Sequence, residues 1–131
     1  MKPAPFTYYD PTTLSEAASL VSRFENLKLL AGGQSLMPMM NFRFLMPDHL
    51  VDLNRVDDLP GISERDGAIR FGATTRQRDI ETSTLVGARL PIMKEALGHV
   101  GHRQTRNRGT IGGSLCHLDP TAELANIAAL G

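Results

Sequence analysis

Two glycine pairs constrain the possible fold of this chain more than any other feature of its sequence. The first lies in LKLLAGGQSLMPMM, residues 27–40, and the second in RGTIGGSLCHLDP, residues 108–120. In each, a serine follows the pair, at Ser35 or at Ser114. Glycine reaches positive φ angles at little cost and lets the backbone approach another group closely. Each pair therefore predicts either a plain turn or a place where main chain contacts a ligand.

The ligand reading has a definite physical basis. Consecutive backbone N–H groups in such a turn form a concave nest that binds phosphate oxygens. A helix that starts nearby adds further donors and the positive end of its dipole. Neither stretch is a G-x-G-x-x-G fingerprint or a P-loop with its Gly-Lys-Ser/Thr ending. The residues alone leave open two turns or one anion site of another architecture.

Composition bounds the class of protein. With 131 residues the chain is one domain or two small subdomains. Lys plus Arg and Asp plus Glu both number 14, which argues against a nucleic-acid binder held by phosphate neutralisation. No apolar run approaches the roughly 18–20 residues of a membrane span. The single Cys116 excludes an intrachain disulfide, and the N-terminus lacks a secretory h-region, so we expect a cytoplasmic protein.

Three histidines raise the question of a metal site. His99 and His102 are three residues apart, and Asp119 follows His117 by two. The sequence offers no second cluster to complete a ligand set, so these side chains are interpreted as loop or surface histidines and no metal is predicted.

The first half of the chain predicts an extended N-terminal segment and alternating helix and strand. Thr13 and Glu16 have the spacing of a capping box, and the following apolar face predicts a helix that ends at Asn26. Short buried strands are predicted at residues 27–31 and 49–53. Composition shifts at residues 54–60, and we divide the chain into subdomains 1–55 and 56–131.

The second half predicts a hairpin followed by helices. Asp66-Gly67 is a strong two-residue turn signal between apolar positions. A short surface helix is predicted within residues 74–83, and another begins at Pro91 and ends near Gly98. A last helix is predicted from Asp119, twelve residues before the sequence stops, which suggests a fragment of a longer protein.

Several segments together resemble a known family. They are PFTYYDPTTLSEAASL, LKLLAGGQSLMPMMNFRF, HLVDLNRVDDLPGI, IRFGATTRQRDIE and LPIMKEALGHVGHRQTRNRGTIGGSLCHLDPTAEL. In this order they resemble the N-terminal half of the FAD-binding medium subunit of molybdenum hydroxylases, the xanthine dehydrogenase and aerobic carbon monoxide dehydrogenase group. The resemblance covers essentially the whole chain. It implies an α+β fold whose two subdomains, here 1–55 and a truncated 56–131, hold FAD between them.

The resemblance also implies which residues contact FAD. In the first loop, backbone amides would hold the pyrophosphate; the matching residues are Ala31, Gly32, Gly33, Gln34 and Ser35, with Leu36 next. In the second loop, the residues lining the pyrophosphate and ribityl region would be Thr110, Ile111, Gly112, Gly113 and Ser114. Glu123 would contact FAD hydroxyls, and Val100 and Gly101 would run along the flavin. Two such nests would bind two phosphates without a lysine, in agreement with the zero net charge.

The implied function is an electron relay. Electrons would pass from iron–sulfur clusters on a small subunit, which serves a molybdenum-cofactor large subunit, through FAD on this chain to an acceptor. The protein would bind and orient the flavin, with no catalytic acid, base or nucleophile of its own, and would not be active alone. Two alternatives stay open: a truncated, non-catalytic remnant, and a generic nucleotide or anion module that binds ADP as tightly as FAD.

Overall fold

A computed structural model describes residues 1–99 and 102–117 of the chain. The chain divides into two compact units, Met1–Leu59 and Pro60–Gly131. This division falls within the segment where composition shifts, four residues after the boundary placed at 55/56. Helices and strands occur in both units, so the predicted α+β class is confirmed. The assignment of each unit as an FAD-binding subdomain stays a prediction.

The first unit is built on a three-stranded parallel sheet. Its strands are β1 (Thr7–Tyr9), β2 (Leu27–Leu30) and β3 (His49–Asp52), arranged in the order β1-β3-β2. His49 is in register with both Thr7 and Leu27. Because all the strands run the same way, their carboxyl ends lie at one edge of the sheet. Strands form at both predicted places, 27–31 and 49–53, each one residue shorter. The expectation that both are buried holds only for β3, because Lys28 and Leu29 of β2 are exposed.

Helix α1 (Leu14–Arg23) packs its apolar side into this unit through Ala17 and Leu20. Thr13 caps it as predicted, since its Oγ1 accepts a hydrogen bond from the Glu16 amide at 3.1 Å. The Glu16 carboxylate accepts from the amide of Thr12 at 3.4 Å, one residue earlier than a capping box requires. The helix ends three residues before the predicted Asn26, which has a φ of 47°.

A second helix of the first unit was not predicted. Helix α2 (Leu36–Asn41) starts after Gln34 and Ser35, the two residues that follow the first glycine pair, and buries Met40. Pro38 lies in its first turn, where a missing N–H removes no intrahelical hydrogen bond. The apolar core of this unit comprises Ala17, Leu20, Met40, Leu50, Val51 and Val56.

The second unit opens with the predicted hairpin. Strands β4 (Ile62–Arg65) and β5 (Ala68–Phe71) pair antiparallel. The two turn residues, Asp66 and Gly67, have φ angles of 53° and 78°. Positive φ at both central positions is the signature of a type I′ turn, so the Asp-Gly prediction is confirmed.

Short helices complete the described part of the second unit. They are α3 (Gln77–Thr82), α4 (Thr84–Arg89), α5 (Pro91–Leu97), α6 (Arg103–Arg108) and α7 (Ile111–His117). Their shared core consists of Ile80, Val86, Met93, Leu97 and Ile111. Helix α5 begins at Pro91 as predicted, whereas α4 and α6 were not predicted. Helix α3 is not a pure surface helix, because Gln77 and Ile80 are buried.

Some sequence expectations concern parts of the chain that the structure leaves undescribed. The helix predicted from Asp119 lies outside residues 1–99 and 102–117. Within those ranges, no helix is long and apolar enough to cross a membrane.

Candidate functional site

The first glycine pair lies at the carboxyl edge of the parallel sheet, between β2 and α2. Gly33 has a φ of +75°, a conformation that side chains disfavour. A Cβ added there would lie 3.2 Å from both Leu30 Cδ1 and Met37 Cγ. Backbone conformation therefore favours glycine at this position, and an added Cβ would also be in tight contact with two side chains. In open parallel sheets this edge is where ligands bind.

The carbonyl groups of this loop are occupied by donors of the protein. Four of them accept hydrogen bonds: Ala31 from Asn54 Nδ2 at 2.7 Å, Gly32 from Gln34 Nε2 at 3.2 Å, Gly33 from the Met37 amide at 3.1 Å, and Ser35 from the Met39 amide at 3.3 Å. The acceptors of the loop are thus largely satisfied from within the first unit.

The N–H groups of the same loop show the opposite pattern. Among the described residues, the amides of Gly32, Gly33, Gln34, Ser35 and Leu36 donate to no protein acceptor. The Ser35 side chain precedes α2 without making a capping hydrogen bond. Gln34 and Ser35 are exposed. A loop with bonded carbonyls and a row of unbonded donors fits a polyanion such as a pyrophosphate.

The second glycine pair has a different structure from the one predicted. Gly112 and Gly113 lie in the first turn of α7. The amides of this turn already have acceptors: Ile111 donates to the Thr75 carbonyl at 3.1 Å, Gly112 to the Ala73 carbonyl at 2.9 Å, Gly113 to Thr110 Oγ1 at 3.1 Å and Ser114 to the Thr110 carbonyl at 3.1 Å. Because these donors are used by the fold, residues 111–114 form no open backbone nest, and a contact of residues 110–114 with FAD stays a prediction.

Close packing explains why Gly112, the first residue of this pair, is a glycine. A Cβ at Gly112 would lie 2.6 Å from the Ala73 carbonyl oxygen, closer than real contacts allow. Thr110 is buried, and its hydroxyl serves the start of α7. Gly113 is exposed, and Gly112 and Ser114 are half-buried, so these three residues present the accessible part of the motif, whereas Thr110 and Ile111 are buried.

The remaining predicted contacts lie outside the described residues. Val100, Gly101 and Glu123 all belong to that part of the chain. The first glycine motif is in the first unit and the second motif is in the second unit.

Sequence reasoning missed a hydrogen-bonded chain beside the first glycine loop. Asp52, the last residue of β3, accepts from the Tyr8 hydroxyl through Oδ2 and from Asn54 through Oδ1. The Asn54 donors are its amide at 2.9 Å and its Nδ2 at 2.6 Å. The hydrogen bond to the Asp52 carboxylate raises the pKa of Tyr8 to about 12.

One sequence signal would have found these residues. Asn54 follows a buried strand almost directly, and polar residues at the carboxyl ends of parallel strands meet at one edge. Our sequence reading treated Asn54 only as the start of a subdomain boundary.

Comparison with known proteins adds independent information. A family model described as the FAD binding domain in molybdopterin dehydrogenase matches residues 4–131. The carbon monoxide dehydrogenase medium chain of Hydrogenophaga pseudoflava is 45% identical over 121 residues, which are 92% of this chain and 42% of that protein. Subunit alpha of the 6-hydroxypseudooxynicotine dehydrogenase complex of Paenarthrobacter nicotinovorans is 46% identical over 125 residues, 95% of this chain and 42% of that one.

A solved structure gives the same result at the level of the fold. Carbon monoxide dehydrogenase from Hydrogenophaga pseudoflava, in a form lacking the Mo-pyranopterin moiety of its cofactor, superposes with a TM-score of 0.94 at 43% identity. The match covers 97% of this chain and 45% of that one. The chain therefore spans less than half the length of the relatives that it matches.

Proposed function

The chain belongs to the family of FAD-binding domains of molybdopterin dehydrogenases, and on this premise we propose that it holds FAD in the flavoprotein subunit of a molybdenum hydroxylase. The first glycine loop would bind the pyrophosphate through the amides of residues 32–36, which donate to no acceptor in the described part of the chain. This row of donors is the observation that carries the proposal. Bound FAD would supply the redox chemistry, taking up electrons and passing them on.

The chain's own part in this function is binding and orientation. Gly33 allows the loop backbone to approach a phosphate closely, because no Cβ stands in the way. The Ser35 hydroxyl, free of any capping bond, adds a donor beside the amides. In the second motif we assign Gly113 and Ser114 as the residues that face the cofactor, while Thr110, Ile111 and Gly112 hold the backbone of α7 in position.

The contacts of Val100, Gly101 and Glu123 with FAD remain predictions from the family resemblance. The same holds for a cytoplasmic location. As partners we propose an iron–sulfur small subunit and a molybdenum-cofactor large subunit, with electrons passing from the clusters to FAD and then to an acceptor. Support for partners comes from the names of the relatives, a medium chain of one enzyme and a subunit of another enzyme complex.

A titration of the purified chain with three ligands tests the proposal. FAD, FMN and ADP are added separately, and binding is followed by flavin fluorescence or by calorimetry. We expect FAD to bind more tightly than either smaller ligand, because it alone carries both a pyrophosphate and an isoalloxazine ring. Equal affinities for ADP and FAD would instead favour the generic anion module. Absence of binding to all three ligands would contradict FAD binding by this chain on its own.

A further inference from the structure

A hydrogen-bonded chain joins the three parallel strands at one edge of the sheet. It runs from Tyr8 in β1 through Asp52 in β3 and Asn54 to the Ala31 carbonyl, directly after β2. In this chain of hydrogen bonds the Tyr8 hydroxyl and Asn54 Nδ2 are donors, and the Asp52 carboxylate and the Ala31 carbonyl are acceptors. The Asp52 carboxylate accepts three hydrogen bonds, one from Tyr8 and two from Asn54.

Asn54 is the member that contacts the glycine loop. Its Nδ2 carries two hydrogens and donates to two acceptors in the described part of the chain, Asp52 Oδ1 at 2.6 Å and the Ala31 carbonyl at 2.7 Å. One side-chain nitrogen thus ties the loop to the end of the central strand. Asp52 fixes the orientation of this amide, because a carboxylate can accept only from the Nδ2 side.

The hydrogen bond to Ala31 determines where the next amide points. The Ala31 carbonyl and the Gly32 N–H belong to one planar trans peptide, so they point in opposite directions. When Asn54 holds the carbonyl, the Gly32 N–H is directed away from Asn54. Gly32 is the first of the unbonded donors, and its orientation sets the start of the row.

We infer that Asn54 is a positioning residue for cofactor binding, which presets the first glycine loop through the Ala31 carbonyl and is itself oriented by Asp52 and Tyr8. The inference rests on the proposed function, in that the ligand of the loop is the FAD pyrophosphate. A preset loop binds an anion more tightly because less conformational entropy is lost on binding. Asn54 does not need to contact FAD itself.

The test compares Asn54→Leu with two controls in the purified chain. Leucine keeps the approximate size of asparagine and removes both Nδ2 donors. Asn107→Leu makes the same chemical change at an exposed position of α6 in the other unit. Val56→Ala truncates a buried side chain of the first unit and controls for loss of stability alone.

Two readouts separate the inference from the proposed function. The first is the amide chemical shift of Gly32 and Gly33 in ligand-free protein. The second is the dissociation constant for FAD. We expect Asn54→Leu to move both resonances and to weaken FAD binding roughly tenfold to a hundredfold. Asn107→Leu and Val56→Ala should leave both resonances in place and FAD affinity within about twofold.

The outcomes have distinct meanings. Unchanged Gly32 and Gly33 resonances in Asn54→Leu would overturn the inference, whether or not FAD binds. Failure of the unmodified chain to bind FAD would contradict FAD binding by this chain on its own, and moved resonances would still support the preset loop. If Asn54→Leu does not fold, Tyr8→Phe takes its place, since it removes one hydroxyl from a half-exposed side chain. It should shift the same resonances by a smaller amount, and no shift would overturn the inference.

Discussion

Gly112 lies so close to Ala73 that the two backbones leave no space for a side chain between them. The Gly112 amide donates to the Ala73 carbonyl at 2.9 Å, and an added Cβ would stand 2.6 Å from that oxygen. The start of α7 is therefore held against the segment after the hairpin by main-chain contact.

Gly112→Ala is expected to destabilise the protein by about 2 kcal/mol. The added Cβ would meet the backbone carbonyl oxygen of Ala73, which cannot rotate away as a side chain could. Gly113→Ala is the matched control at the next, exposed position of the same helix. It should be neutral or stabilising by up to about 1 kcal/mol, because alanine favours helix more than glycine does. Urea unfolding followed by circular dichroism measures both. Equal stability of the two variants would contradict the packing role of Gly112.

Gly33→Ala should both destabilise the chain and weaken FAD binding. Its φ of +75° disfavours alanine by about 1–2 kcal/mol, and the Cβ contacts at 3.2 Å add to that cost. Gly67→Ala is the control, because Gly67 has a φ of +78° with no atom within 4 Å of the added Cβ. It should lose stability to a smaller extent and keep its FAD affinity. A parallel loss of affinity in Gly67→Ala would show that general destabilisation explains the effect.

The titration of Tyr8 should be displaced to high pH. Its pKa is raised to about 12 by the hydrogen bond to Asp52, from an ordinary value of about 10. Because the folded state holds this proton more tightly, the stabilisation is fully present below about pH 10 and is lost as the pH rises towards 12. Absorbance at 295 nm, taken as the difference between the unmodified chain and Tyr8→Phe, measures the titration. Asp52→Asn should return the midpoint towards the ordinary value, and an unchanged midpoint would contradict the assignment.

Thr13→Ala should lower stability by about 1 kcal/mol, since the helix loses the Oγ1 acceptor for the Glu16 amide at 3.1 Å. Thr12→Ala serves as its control. Only the backbone amide of Thr12 contacts Glu16, so this variant should change stability by less than about 0.5 kcal/mol. Thermal unfolding of the two variants, measured side by side, tests whether Thr13→Ala loses more stability than Thr12→Ala.

Local chemistry explains which elements could be predicted from the sequence. The Asp66-Gly67 turn, the Thr13 cap and the start of a helix at Pro91 each depend on the conformational preference of the residues themselves. These three features therefore depend little on contacts with other parts of the protein. The first glycine loop also belongs to this group, because Gly33 adopts the positive φ that only glycine reaches without strain.

The rest depended on contacts that the sequence does not display. Two adjacent glycines disfavour a helix, and yet α7 forms because Ala73, Thr75 and Thr110 supply acceptors to its first amides. Helix α6 consists entirely of polar residues, so its sequence has no apolar periodicity from which a helix could be predicted. Asn54 looked like part of a linker, since its role depends on Ala31, 23 residues away.

The order of strands in the first unit has a consequence for how the protein is made. Both β1 and β2 pair only with β3, which comes last in sequence. Tyr9 in β1 is in register with Val51 of β3, and Leu30 in β2 is in register with Asp52 of β3. On the ribosome, neither early strand has a sheet partner until the last of the three has emerged. The glycine loop therefore gains its hydrogen bond to Asn54 only after β3 has been made, because Asn54 follows the last residue of that strand by two.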